Sequence, residues 1–199
     1  MREVNLPESE RYSCSMLLMC AAILLGLVLV ASARTQDGAI PGEPEALSVL
    51  YYLDGSAKLI PLEFQLVHKN QKLHGLTGGE NMYSVRGQKS PERIKAADKM
   101  NFVVRLKGSQ DPVEAIQLFH LDVVGGSRVL PIDNFDALGR VSKMTIPAFI
   151  DFNAAIFGPS SFKLIPIQVL APGEYCFLMK TGNELPKAVP GFCFGIDGP

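Results

Sequence analysis

The feature that most constrains this chain is an uncharged apolar run close to its N-terminus. Residues 15–30 carry no charged side chain, a polar segment precedes them, and Ala31-Ser32-Ala33 follows before Arg34. A polar head, an apolar middle and a small-x-small end are the three parts of a secretory signal peptide. We therefore expect residues 1–33 to form a hydrophobic helix that directs export, with cleavage after Ala33.

The same run also reaches the lower limit for a membrane anchor. Residues 16–33 make a stretch of 18 residues, and a transmembrane helix needs about 20, with a range of about 17–25. If the segment stays uncleaved, it is the only part of the chain for which the sequence predicts membrane contact. Under both interpretations the rest of the chain is expected outside the cytoplasm, in a periplasm, at the cell surface or secreted.

Removal of the signal leaves a nearly neutral chain. Two basic and three acidic residues leave with it, so totals of 19 and 20 become 17 of each. A general nucleic-acid binder needs a basic excess, and we expect no nucleic-acid partner. Of four cysteines, Cys14 and Cys20 lie in the signal, which leaves Cys176 and Cys193.

Cys176 and Cys193 are expected to form a disulfide, because two cysteines in an oxidising compartment usually pair. Residues 174–180 and 189–196 both have the pattern of strands, joined by residues 181–187. A single hairpin would place the two cysteines opposite each other. The alternative is a pair of buried free thiols, and the spacing does not suggest a zinc site.

Short strands account for most of the remaining pattern. Asp54-Gly55 between two β-prone runs is a strong hairpin signal, and Pro61 in the second run predicts an edge strand or a bulge. Gly125-Gly126 predicts a second hairpin, and Asp111-Pro112 resembles a capped helix start. Further strands are predicted at residues 82–86, 101–107 and 162–170. Residues 34–45 are expected to be a flexible leader, 67–81 a loop and 133–139 one helical turn.

One run in the C-terminal half points to a particular fold. Leu170-Ala171-Pro172-Gly173-Glu174-Tyr175 resembles the corner of fibronectin type III domains, in which a Leu-x-Pro-Gly turn leads to a strand-opening tyrosine. The resemblance implies that the Tyr175 hydroxyl bonds back to the backbone of the turn. We therefore predict that residues 46–199 form an all-β domain, an immunoglobulin-like β-sandwich with insertions. Two features depart from the pattern: the chain has no tryptophan, and Cys176 follows the tyrosine directly.

The sequence contains no catalytic motif, no metal-ligand spacing and no nucleotide loop, so we expect no cofactor and no metal. His120, Asp122 and Ser127 are the best catalytic trio available, and any β protein of this size offers such a trio. His68 and His74 lack a third ligand for a metal. Seven basic residues against two acidic ones between residues 86 and 107 predict a patch for an anionic partner, or a solvated face balanced by acidic residues elsewhere. They are Arg86, Lys89, Arg93, Lys95, Lys99, Arg105 and Lys107.

These observations lead to three hypotheses of function. The first is an exported, non-enzymatic binding or structural module that meets a protein or a cell-envelope component. The second is an extracytoplasmic hydrolase that uses His120 and nearby carboxylates, for which a buried pocket around His120 would be the sign. The third is a subunit of a surface or secretion assembly, for which an unpaired apolar edge strand would be the sign.

Overall fold

The computed structural model describes residues 42–96, 99–108, 110–180 and 186–198. The predicted signal or anchor at residues 1–33 and most of the predicted leader at 34–45 lie outside these ranges. Within the described part of the chain, no helix has the length and apolar character needed to cross a membrane. The described residues form two β-sheets, which confirms the all-β prediction.

The smaller sheet contains five antiparallel strands. In spatial order they are β10 (Phe152–Ile156), β11 (Ser161–Pro166), β6 (Asn101–Arg105), β1 (Leu50–Leu53) and β2 (Leu59–Pro61). The hairpin predicted around Asp54-Gly55 joins β1 to β2, with Tyr52 paired to Ile60. The edge prediction for Pro61 is confirmed, because β2 is the outermost strand of this sheet.

The larger sheet contains eight strands, of which six close into a ring. These six are β3 (Glu63–Leu73), β4 (Gly78–Arg86), β7 (Ile116–Val124), β8 (Ser127–Asp136), β12 (Gly173–Met179) and β13 (Ala188–Asp197). The ring runs β12-β7-β8-β4-β3-β13 and returns to β12. Two short strands extend it: β5 (Arg93–Lys95) pairs with β13, and β9 (Val141–Met144) pairs with β8. We call the six-stranded ring the closed sheet.

Strand alternation divides the apolar residues of the closed sheet between two cores. Successive side chains of a strand point to opposite faces, so Val67, Tyr83, Leu130, Ile132 and Cys176 fall into one cluster inside the closed sheet. Side chains of the other parity form a second cluster between the closed sheet and the smaller sheet. Its largest fully buried aromatic members are Phe102, Phe177 and Phe194.

A single helical turn precedes strand β7. We label it α1 (Pro112–Ala115), and the Asp111 side chain accepts a hydrogen bond from the backbone N–H of Val113 at 2.8 Å. The capped helix start predicted at Asp111-Pro112 is therefore present. The Gly125-Gly126 turn then connects β7 to β8 as a hairpin, in which Val124 pairs with Ser127.

Two predictions were wrong. Residues 67–81, predicted to be a loop, belong to the long β3–β4 hairpin, in which Lys69 pairs with Tyr83 and Leu73 with Gly79. Most side chains of this hairpin are polar, so its sequence lacks the apolar alternation by which a strand is predicted. Residues 133–139 were predicted as a helical turn, but β8 continues as a strand to Asp136 and ends in a tight turn. There the Asp136 carboxylate accepts hydrogen bonds from Leu138 N and Arg140 N.

The Leu170–Tyr175 corner crosses from the smaller sheet to the closed sheet. The Tyr175 hydroxyl donates to the carbonyl oxygen of Ala171 at 2.8 Å, and burial raises the pKa of that hydroxyl. The strand pairing around this corner differs from that of two open, facing sheets, because the larger sheet closes through the β12–β13 pair.

Cys176 and Cys193 form a disulfide inside the closed sheet, as predicted. The two residues are directly paired on β12 and β13, and both are fully buried. The disulfide is compatible with an extracytoplasmic location. It covalently joins the two strands whose pairing closes the ring.

Candidate binding surface

Phe64 lines an apolar opening near the junction of the two sheets. Its side chain is 61% exposed, and Leu47 and Leu66 are 51% and 50% exposed. A cleft of about 640 Å³ extends from Phe64 towards the smaller sheet. Its walls are almost entirely apolar: Leu47, Val49, Pro61, Leu62, Phe64, Met179, Pro190 and Phe192, together with Ser48. We call this the apolar cleft.

Cross-strand pairing fixes the position of Phe64. Phe64 on β3 lies directly opposite Phe192 on β13, and the two ring centroids are 5.4 Å apart. Phe192 is 3% exposed and belongs to the core beneath the smaller sheet. The exposed Phe64 ring therefore rests on a rigid buried partner, and the next pair on this face, Leu66 with Pro190, continues the apolar surface.

The opposite wall of the apolar cleft depends on an unusual backbone conformation. Ser48 has a φ of 57°, in the left-handed region that non-glycine residues seldom adopt. Its backbone N–H donates to the carbonyl oxygen of Arg105 at 2.7 Å, which holds this conformation. The bend places Leu47 and Val49 on either side of Ser48, and both line the cleft.

A second opening lies on the other side of Phe64 and is mainly polar. This polar cleft has a volume of about 710 Å³ and shares Phe64 with the apolar cleft; its walls are Phe64, Gln65, Leu66, His68, Asn70, Ser84 and Arg86. It forms because β3 and β4 pair only as far as His68 and Ser84 and then diverge. We call the apolar and polar clefts together the Phe64 surface.

The Gln65 side chain satisfies the backbone where the two strands separate. Its Oε1 accepts a hydrogen bond from Arg86 N at 3.1 Å, and its Nε2 donates to Arg86 O at 3.4 Å. The carboxamide thus replaces the peptide group of a missing ladder pair, so the N–H and the carbonyl oxygen of Arg86 each have a hydrogen-bond partner. Because the Gln65 side chain takes the place of a strand partner, β3 and β4 can diverge without leaving the Arg86 peptide groups unpaired.

The polar cleft offers donors for an anionic or polar group. Arg86 is exposed, and its guanidinium makes no ion pair or hydrogen bond with any residue that the structure describes. His68 and Asn70 are also exposed. A guanidinium can bind a carboxylate through two parallel hydrogen bonds. The surface therefore combines an aromatic anchor and apolar walls with an adjacent cationic side chain.

A buried ion pair supports the wall of the polar cleft from inside the closed sheet. Arg128 is fully buried, and its guanidinium contacts both carboxylate oxygens of Glu63, at 2.8 and 3.0 Å. It also donates to the carbonyl oxygens of Arg86 and Gly87. Burial by itself would raise the pKa of Glu63, but hydrogen bonds from Arg128, Ser90 and Gln65 outweigh it and lower that pKa.

The ion-pair network continues to the C-terminal strand. Arg93 contacts the buried carboxylate of Glu174 and the exposed carboxylate of Asp197. The hydrogen bond with Asp197, followed by that with Glu174, raises the pKa of Arg93. The other Glu174 oxygen accepts from Ser90 N at 2.8 Å. These contacts fix the segment between β4 and β5 against the end of the closed sheet.

The predicted basic patch is divided by the fold. Arg86 and Lys89 are exposed near one end of the closed sheet, whereas Arg93 forms ion pairs with Glu174 and Asp197. Arg105 lies on β6 of the smaller sheet, is half-buried and donates to the carbonyl oxygen of Pro44 at 3.5 Å. Lys95, Lys99 and Lys107 are exposed on separate segments. Arg86 alone of the seven lines the Phe64 surface.

The residues considered for catalysis do not form a triad. His120 is exposed, contacts the Tyr175 ring edge-on at 5.2 Å and borders an open depression with Asp122. Within the described ranges it forms no hydrogen bond or ion pair with Asp122 or Ser127. The Nε2 atom of His74 lies 3.5 Å from Oε1 of Glu80, while His68 lines the polar cleft. No cluster of three or more His, Cys, Asp or Glu residues suited to a metal occurs among the residues described.

Sequence reasoning missed Phe64, Glu63 and Arg128. Residues 63–66 alternate polar and apolar, which normally predicts that Phe64 and Leu66 are buried. In the structure Glu63 and Gln65 face the interior instead, and Phe64 faces outward. The available signal was Pro61, since a proline at an edge allows the chain to leave one sheet and enter the other, which it does at Glu63. No known protein-family model matches the chain, and no curated protein sequence matches it.

Proposed function

We propose that this protein is an exported, non-enzymatic binding module that recognises a protein partner through the Phe64 surface. The observation that carries this proposal is a group of three large apolar side chains, each at least half exposed. Phe64 and Leu47 line the apolar cleft, and Leu66 lies beside Phe64 on the wall of the polar cleft. Contiguous exposed apolar patches on soluble proteins mark interaction sites. Buried aromatic anchors dominate the binding free energy of such interfaces.

The side chains of the Phe64 surface indicate which kind of partner segment it would bind. The apolar cleft accepts an aliphatic or aromatic side chain, and the Phe64 ring provides the contact area. Arg86, on the far side of the shared Phe64, would pair with a carboxylate of the same partner segment. We expect an extended segment that carries an apolar residue next to an acidic one. That the fold is an immunoglobulin-like β-sandwich with insertions stays a prediction, which the hydrogen bond from Tyr175 to Ala171 in the Leu170–Tyr175 corner supports.

Site-specific photo-crosslinking in the native host tests this proposal. A photoreactive phenylalanine analogue at Leu66 is expected to yield one dominant crosslinked protein, because Leu66 borders both Phe64 and the polar cleft. The matched control carries the same analogue at Val141, which is 58% exposed on β9. The Leu66 product is expected to disappear when Phe64→Ala is added. Identical products from Leu66 and Val141, or a product insensitive to Phe64→Ala, would refute the proposal.

A further inference from the structure

Three strongly exposed leucines lie together at one end of the closed sheet. Leu73, Leu76 and Leu138 are 71%, 94% and 74% exposed, and among the other large apolar residues described only Ile156, at 84%, is as exposed. Single exposed apolar side chains are common on soluble proteins, whereas a group of them at one place marks an interaction site. The three leucines therefore call for a binding partner of their own.

Strand pairing brings these leucines side by side. Leu73 ends β3, Leu76 lies in the turn that leads to β4, and Leu138 lies in the turn between β8 and β9. Gly78 at the start of β4 pairs with Asp136 at the end of β8. The two turns are therefore neighbours at the same end of adjacent strands, which lie about 4.8 Å apart. We call the two strand ends and turns that carry the leucines the paired tips.

Backbone contacts hold the paired tips in a fixed arrangement. Gly78 has a φ of 120°, and any side chain there would collide with the backbone of Asp136. One turn is closed by a hydrogen bond from His74 N to Gly78 O at 2.8 Å, and the other by one from Gly139 N to Asp136 O at 2.9 Å. The leucines thus protrude from closed turns. With 94% of its side chain exposed, Leu76 has almost no neighbours that could form the wall of a pocket.

The charged side chains around the paired tips are mainly basic. Residues 69–79 and 137–144 contain no Asp or Glu and four basic residues, Lys69, Lys72, Arg140 and Lys143. Of these four, Lys72 forms an ion pair with Glu80, and the other three form none with the residues that the structure describes. Glu80 and Asp136 border the two segments, so basic side chains still outnumber acidic ones by four to two. The surroundings of the leucines therefore favour an anionic partner.

We propose that the paired tips insert into an anionic lipid bilayer, with Leu73, Leu76 and Leu138 among the acyl chains and the basic side chains at the headgroups. Fluid acyl chains can surround an isolated protruding side chain, whereas a protein partner would need a preformed cavity for each leucine. Lys and Arg can reach the phosphates while their aliphatic stems stay in apolar surroundings. Both the buried apolar area and the attraction to anionic lipids strengthen such binding, so we expect a reversible attachment.

The paired tips and the Phe64 surface lie at opposite ends of β3. Phe64 is the second residue of this strand and Leu73 is its last. A strand rises about 3.3 Å per residue, so about 30 Å separates the two residues along β3. Insertion of the tips would leave the Phe64 surface on the part of the closed sheet that faces away from the bilayer. The membrane contact is thus independent of the proposed protein partner.

Tryptophan fluorescence tests the insertion, because the chain contains no tryptophan of its own. Leu76→Trp, in the protein isolated from host cells, is titrated with vesicles of equimolar phosphatidylcholine and phosphatidylglycerol. Its emission is expected to shift to shorter wavelengths and to be quenched by brominated phosphatidylcholine, since the indole leaves water for the bilayer interface. The matched control is Val169→Trp, 66% exposed before β12, which begins at the opposite end of the closed sheet. Its emission should not change.

Charge variants test the role of the headgroups. Arg140→Gln, added to Leu76→Trp, should raise the vesicle concentration at the midpoint of the shift about fivefold, the usual contribution of one basic residue near an anionic surface. Vesicles of phosphatidylcholine alone should produce a weaker shift for the same reason. A midpoint that is the same with and without phosphatidylglycerol would contradict the basic side chains as headgroup ligands.

Several outcomes would overturn the proposal. Unchanged emission of Leu76→Trp with anionic vesicles would do so, as would equal shifts at Leu76 and Val169. A retained N-terminal anchor alone would give one of these two results, since it would bring both reporters near the bilayer without immersing the tips. A shift in buffer that grows with protein concentration would show instead that a second copy covers the leucines. Addition of Phe64→Ala should leave the vesicle-induced shift intact, so failure of this proposal and failure of the Phe64 surface can be told apart.

Discussion

Arg128 and Glu63 form a two-bond ion pair inside the closed sheet, with Nη1–Oε2 at 2.8 Å and Nη2–Oε1 at 3.0 Å. The same guanidinium binds the carbonyl oxygens of Arg86 and Gly87, at the point where β4 leaves β3. The pair thus connects β3 and β8 to the end of β4 through one buried side chain. It supports the wall of the polar cleft without being exposed on it.

Removal of the Arg128 guanidinium should strongly destabilise the fold. Arg128→Met leaves the Glu63 carboxylate without its principal partner, and breaking a buried ion pair in this way typically costs about 3–5 kcal/mol. Chemical denaturation measures the change in the free energy of unfolding. Lys72→Met is the control, because Lys72 pairs with Glu80 at the surface and surface pairs contribute about 0–1 kcal/mol.

Simultaneous replacement of both partners should cost less than replacement of Arg128 alone. Arg128→Met with Glu63→Leu removes the uncompensated charge, and apolar pairs of similar volume can replace buried ion pairs without large loss. A double variant whose loss of stability equals the sum of the losses of Arg128→Met and Glu63→Leu would contradict this account, since it would show that the two side chains act independently.

Acidification should weaken the fold partly through Glu63. Its pKa lies below the ordinary value of 4.5, so its ionised form stabilises the folded state at pH values above that ordinary pKa. The contribution is lost as the pH falls through the lower, folded-state pKa. We expect the unfolding temperature to fall below about pH 4 and to do so less steeply in Glu63→Gln. Glu45→Gln, at an exposed carboxylate, should retain the original slope.

Reduction of the disulfide should cost about 3 kcal/mol in the chain-entropy model, since Cys176 and Cys193 enclose a short loop. Both sulfurs are buried, so reduction under native conditions is expected to be slow. Denaturation with and without reductant, and of the Cys176→Ala/Cys193→Ala variant, measures the effect. Equal free energies of unfolding in all three would contradict a stabilising role for the bond.

How far the sequence predicts this fold depends on where apolar alternation survives. β6, β12 and β13 are buried on one or both faces, and their apolar patterns predict them as strands. The disulfide is predicted because only Cys176 and Cys193 remain once the two cysteines of the signal segment are set aside. β3 and β4 were partly missed because polar residues 68–72 extend beyond the cores and carry no pattern. Closure of the larger sheet depends on the pairing of β3 with β13, residues more than 100 positions apart, which no local signal encodes.

The candidate surface was less predictable than the fold. The inversion at residues 63–67 turns Phe64 outward because Glu63 must reach Arg128, a residue 65 positions away. Local alternation cannot reveal such a partner. Arg86 was identified within a basic run, but its neighbours in sequence separate in space, so charge counting alone did not locate the surface.

Loss of the Tyr175 hydroxyl should cost about 0.5–1.5 kcal/mol, the usual net contribution of one hydrogen bond. Tyr175→Phe keeps the ring, which stacks on Phe194 with centroids 5.4 Å apart, and removes the bond to Ala171 O. Thermal or chemical denaturation provides the comparison. Tyr51→Phe is the control, because the Tyr51 hydroxyl makes no hydrogen bond with the residues described. A Tyr175→Phe change no larger than that of Tyr51→Phe would contradict a structural role for the corner.

The central claim is that Phe64 anchors a protein partner, and titration of the crosslinked partner against purified variants tests it most directly. Truncation of an interface anchor typically costs 2 kcal/mol or more, which corresponds to a loss of affinity of about 30-fold. We predict such a loss for Phe64→Ala, a smaller loss for Arg86→Ala that diminishes at high salt, and unchanged binding for Val141→Ala. A dissociation constant for Phe64→Ala equal to that of the unmodified protein, with the fold intact, would contradict the account.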